Sequence, residues 1–210
     1  MPAASPPPRD AVPLMRAPSW VFGGALLVAS VLLPLVLGTG TPLVGGGTLG
    51  GVLFAGALVA FAVGVRGDGA VAAGRALGTW TLVAWGLAAL AVPVVATLLT
   101  PVLADPAAGV PFGMATTLLL FVLGLLATTQ IALSGVVPTP WHRGPLIALL
   151  AVAASWVITQ VAAVLAPTMY GVIAGATTLQ ALVLAAAMTV VGIAAIALGA
   201  QPAEREASQA

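Results

Sequence analysis

The chain has no cysteine and very little charge: six basic and five acidic side chains make up 5% of its 210 residues. Without cysteine there is no disulfide, thiolate metal site, iron–sulfur cluster or cysteine nucleophile. Lysine is also absent, and all six basic residues are arginine. With abundant Ala, Gly, Val and Pro, this usage points to a GC-rich bacterial coding bias. A soluble domain carries about 25% charged residues, so so few charges could not cover a water-soluble fold of this length. The net charge of +1 leaves no basic face for nucleic acid.

What is present is apolar. Hydrophobic residues reach 61% and the mean hydropathy is +1.19. Six apolar runs cover about residues 20–37, 43–65, 76–99, 110–133, 146–166 and 175–198, the last extendable back to Tyr170. Each is about the length that a bilayer core requires. Barrel strands would be half as long and would alternate apolar with polar residues. Continuous apolar runs must satisfy their backbone groups internally, as helices do. The expected fold is therefore an all-α polytopic transmembrane bundle of six membrane-spanning helices. It occupies residues 18–200, between a proline-rich tail (1–17) and a polar tail (201–210). The first run exceeds a signal-peptide core and no A-x-A pattern follows it, so it reads as a retained helix.

The arginines orient the bundle. Arg9 and Arg16 precede the first run, and Arg66 and Arg75 bracket the connector between the second and third. Arg143 lies between the fourth and fifth runs, and Arg205 follows the sixth. The remaining connectors hold no arginine, and one holds Asp105. All six arginines then fall on one side, which the positive-inside rule makes cytoplasmic. An arginine at a span centre costs about 2.5–3.5 kcal/mol on insertion scales. The expected localisation is the bacterial inner membrane, multi-pass, with N-in/C-in topology. In that orientation the Arg66-Gly67-Asp68 tripeptide has no adhesion role.

No ionisable residue lies inside any run. Proton relays and ion-coupled carriers usually place such groups at membrane depth, and acid–base catalysis needs them. Asp10, Asp68, Asp105, Glu204 and Glu206 are scattered over connectors and tails, so the chain reads as non-catalytic. The only histidine, His142, has no nearby carboxylate with which to form a metal site or dyad. Trp141, His142 and Arg143 read as an interfacial anchor. Gly45–Gly47 lacks the GK[ST] ending and preceding strand of a phosphate loop. No cofactor is implied.

Gln130, Gln160 and Gln180 are the only amides within the runs. Gln160 and Gln180 fall about 7–9 Å below the outer surface at the helical rise. Trp156 stands one turn from Gln160 on the same face, and Thr177 shares the outer third. These four are the candidate ligand-binding residues, a mainly uncharged pocket opening outward. The competing reading makes the glutamines and threonines interhelical glue. Small residues at four-residue spacing (Gly47, Gly51, Ala55; Gly56, Ala60, Gly64; Gly171, Gly175) permit close helix approach. Pro34 and Pro93 each remove a helix hydrogen bond, and Pro93 releases the Ala89 carbonyl.

Two functions fit. One is a small-molecule binding or transport component which, lacking a nucleotide site or coupling residue, needs an energising partner. The other is a structural or accessory subunit of a larger respiratory or secretory membrane complex. Beyond the lipid bilayer, the expected associate is a partner membrane subunit or a second copy of the chain.

Overall fold

The computed structural model describes residues 18–36, 48–64, 75–138, 141–166 and 168–200. Among these residues every regular element is helical. The elements are α1 (Pro18–Val36), α2 (Thr48–Val63), α3 (Ala76–Leu98), the one-turn α4 (Thr100–Leu103), α5 (Pro106–Ser134), a 3₁₀ turn (Trp141–Arg143), α6 (Gly144–Leu165) and α7 (Tyr170–Gly199). Both tails, with Arg9, Asp10, Arg16, Glu204, Arg205 and Glu206, lie outside the described residues. So do Gly45–Gly47 and the connector carrying Arg66 and Asp68.

Local chemistry sets the helix ends. The connector expected between Thr100 and Pro111 is largely helical, forming α4 and the first turn of α5. Asp105 makes this possible: its Oδ1 accepts from the Ala107 N–H at 2.9 Å, and Pro106 occupies the first helical position. Asp105→Ala is expected to cost about 1 kcal/mol, read as a lower melting temperature of the detergent-solubilised protein. At its other end α5 stops at Gly135, whose φ of 70° is the left-handed conformation that a side chain would disfavour. Gly64 closes α2 in the same way, with φ 73°.

The six longer helices form one closed ring, α1–α2–α3–α5–α6–α7 and back to α1. Neighbours run antiparallel. The Thr79 hydroxyl, at the start of α3, reaches the Ala62 carbonyl at the end of α2 (3.5 Å). The Thr159 hydroxyl on α6 donates to the Ala176 carbonyl on α7 (3.3 Å). Closure comes where α1 crosses α7. A Cβ on Gly24 would stand 2.5 Å from the Gly192 carbonyl oxygen, and one on Gly192 would stand 2.6 Å from a Val28 methyl. On α2, Gly51 and Ala55 pack towards α3, while Gly56 faces Leu26 of α1. Gly171 and Gly175 have nothing within 4 Å.

This antiparallel path puts Arg75 and Arg143 at one end of the ring and Asp105 at the other. The described chain also begins and ends at the arginine end, since Gly24 meets Gly192.

Among the described residues four helical segments are long and apolar enough to cross a membrane: Ala76–Leu98, Pro106–Ser134, Trp141–Leu165 and Tyr170–Gly199. Pro18–Pro34 and Leu49–Val63 are shorter apolar helices. Leu77, Leu118, Ile147, Val164 and Leu182 are among many large apolar side chains on the exterior. So much exposed apolar surface suits lipid rather than water. The helices are compatible with a multi-pass integral membrane protein in a bilayer.

Candidate functional site

Trp20, Leu27, Phe54, Leu58, Leu82 and Ile131 pack into a buried cluster within the ring, and a partly open cavity of about 1010 Å³ adjoins it. All six ring helices line it. On the arginine side the wall is aromatic and aliphatic: Trp20, Phe54, Phe61, Leu82, Trp85 and Trp141. Phe54 and Trp85 meet edge to face, with ring centroids 5.5 Å apart. No charged residue lines the cavity. Its polar side chains, beyond the indole N–H groups, are Thr117, Thr128 and Gln180.

The helix registers give the depth of these groups. Gly124 of α5 abuts Leu149 of α6, and Thr159 of α6 bonds to Ala176 of α7. Counting along antiparallel helices from those contacts brings Thr117, Trp156 and Gln180 to one level, within about a turn. Gly86 beside Ala55, and Trp85 beside Gly124, place the start of α2 at about the same level. Beyond it α5, α6 and α7 continue without the described parts of α1 and α2. The cavity therefore occupies the arginine-side portion of the ring, below this polar level. An outer-third pocket was the expectation from the sequence.

The four sequence candidates separate accordingly. Trp156 and Gln180 both line the cavity. Gln160, one turn past Trp156, is exposed and does not line it. Thr177 is exposed too, and its hydroxyl donates to the Ala174 carbonyl of its own helix (2.9 Å). The depth of Gln180 follows from where α7 starts. With the helix beginning at Tyr170, Gln180 lies about 15 Å along it.

Most of the expected glue is intrahelical. Thr97, Thr116, Thr117, Thr128 and Thr178 each donate to a carbonyl three or four residues earlier. A β-hydroxyl on a helix meets that carbonyl without leaving its own turn. Thr79 and Thr159 do bridge two helices. The carboxamide of Gln180 has no hydrogen-bond partner among the described residues. Gln180 is half-buried, so its amide is accessible from the cavity.

Comparison with known proteins finds no matching family model, no matching curated protein and no matching solved structure. The cavity must therefore be read from its own chemistry.

The aromatic wall and Thr128 were not among the expected site residues; Thr128 was expected at a solvated helix end and is buried. The available signal was position: Trp20, Phe61 and Trp141 all fall near the arginine-bearing connectors and termini. The expected anchor at residues 141–143 is more mixed than expected. Trp141 and Arg143 are exposed, but the His142 Nδ1 atom is buried without a partner. Successive side chains of a 3₁₀ turn point about a third of a revolution apart, so the three cannot all face the headgroups. The Ala89 carbonyl released by Pro93 lies beside Gly51 of α2, and Ala89 is no part of the cavity lining. Among the described residues no group of three or more His, Cys, Asp or Glu could hold a metal ion.

Proposed function

We propose that this chain is a non-catalytic, six-span protein of the bacterial inner membrane, with both termini cytoplasmic, that binds a small uncharged molecule as part of a transport system. The observation that carries this reading is the cavity itself. It is walled by all six ring helices, is free of charge and holds one unpaired amide. Arg75 and Arg143 at one end support the orientation. No acidic, basic or imidazole side chain lines the cavity, which favours binding over acid–base chemistry. With no coupling residue inside, movement of a bound molecule requires a partner that supplies energy.

Ala187 lines the cavity from α7. A bulky side chain at this position projects into the lining and occupies part of the space. Ala187→Trp is expected to weaken binding of the dye Nile red by about tenfold or more, a loss of about 1.4 kcal/mol. Fluorescence titration of the purified protein measures this, and equal binding by both proteins would defeat the binding reading. Purification from native membranes in mild detergent is expected to bring down one membrane subunit at fixed stoichiometry.

A second reading, a structural subunit of a larger complex, draws on one observation. Gly113, Gly171 and Gly175 sit at the Asp105 end with open space around them, where a partner helix would fit closely. That reading expects the partner to be lost on Gly171→Leu and Nile red binding to be unaffected by Ala187→Trp.

A further inference from the structure

We infer that the cavity takes a neutral single-chain amphiphile: a long apolar body ending in one uncharged hydroxyl or carbonyl group, held at the level of Thr117, Trp156 and Gln180. This rests on the binding reading above and adds the ligand class, its orientation and its route of access.

Orientation follows from where polarity lies. The Thr117 and Thr128 hydroxyls already donate to the Gly113 and Gly124 carbonyls, at 2.8 Å each. The Gln180 carboxamide, with two N–H donors and one acceptor oxygen, and the nearby Trp156 indole remain to meet a ligand. From that level to the arginine end the wall offers half-buried Trp85, Leu149, Val152, Met188 and similar side chains. A molecule polar at one tip and apolar along its length matches that distribution. A volume of about 1010 Å³ stands at the upper end for small-molecule sites, which suits an extended chain.

Charge excludes the commoner amphiphiles. A carboxylate or ammonium group at this depth would find no opposite charge on the lining, and an unpaired ion in such a site is heavily penalised. A hydroxyl or carbonyl would use the amide that the fold leaves unpaired.

Access is from the side. The α5–α6 seam is the thinnest in the ring. Leu118 on α5 and Ile147 on α6 line the cavity and are also 57% and 63% exposed. A chain-shaped molecule dissolved in the bilayer reaches the cavity there without crossing water.

The test uses the full chain in lipid nanodiscs, loaded with 1-hexadecanol, hexadecanoate or hexadecane at equal mole fraction. Bound probe is read by native mass spectrometry. Hexadecanol is expected to be retained about tenfold better than either other probe, and Gln180→Leu is expected to reduce it to the hexadecane level. Tenfold corresponds to one well-made hydrogen bond. Equal retention of hexadecanol and hexadecane, preference for hexadecanoate, or an unchanged hexadecanol signal in Gln180→Leu would each overturn the inference. The wild-type ranking decides the matter by itself should the variant not fold. If Nile red binds and is displaced by Ala187→Trp while the ranking is flat, the ligand class alone is wrong. If Nile red does not bind, the cavity reading falls first.

Discussion

Gly24→Leu is expected to lower the stability of the folded bundle by about 3 kcal/mol, the upper range for overpacking a close contact. The reason is geometric. The first atom of any side chain at Gly24 would lie 2.5 Å from the Gly192 carbonyl oxygen and 2.9 Å from an Ile196 side-chain carbon. Backbone cannot swing aside as a side-chain tip can, so α1 would have to leave α7 and the ring would open. Gly192→Leu is expected to do the same, because its Cβ would meet Val28 and the Gly24 carbonyl. The two losses should not add, since either one already separates the helices. Gly171→Leu is the control. With nothing within 4 Å of that position, its effect is expected to stay within about 0.5 kcal/mol. Reversible unfolding in mixed micelles compares the three. Equal stability of Gly24→Leu and wild type would mean that α1 and α7 do not cross as described.

Single cysteines at Arg75 and Asp105 are expected to react with a membrane-impermeant maleimide from opposite sides of the membrane. The chain has no native cysteine, so each variant reports one position without background. Arg75→Cys should label only in inside-out vesicles and Asp105→Cys only in intact cells or spheroplasts. The contrast is all or none, because α3 (23 residues) spans about 34 Å at the helical rise and separates the two sites. Arg143→Cys should follow Arg75→Cys. Labelling of residues 75 and 105 from the same side would remove the six-span topology and the cytoplasmic assignment of both termini together.

Much of the helical framework was legible from hydropathy. The third run, placed at about 76–99, is α3 (Ala76–Leu98), and the fifth, placed at about 146–166, is α6 (Gly144–Leu165). Helices that are apolar on every side leave no amphipathic period to read, so run length carries the signal. Boundaries were less legible where polar residues serve the helix. Asp105 and Pro106 look like a connector but are the cap and first residue of α5. Tyr170 to Ala174 look optional but begin α7. Within the site, Gln160 and Gln180 are alike in sequence, each a lone amide in an apolar run. Only the registers of α5, α6 and α7 separate them, putting one past the cavity and the other on its wall. Gly24 and Gly192 carried no distinguishing mark among the chain's 25 glycines.

Composition and the spacing of charge were enough to establish long apolar helices and to keep ionisable groups out of them. Those properties are one-dimensional: transfer from water to lipid is close to a sum over residues, and position along the chain suffices to compute it. Which helices touch, where their backbones approach most closely, and where a cavity is left between them depend on the shapes of side chains brought together from distant parts of the chain. Two glycines 168 residues apart (Gly24 and Gly192) close the ring. The cavity, and the unpaired amide on its wall, exist only once that ring is assembled.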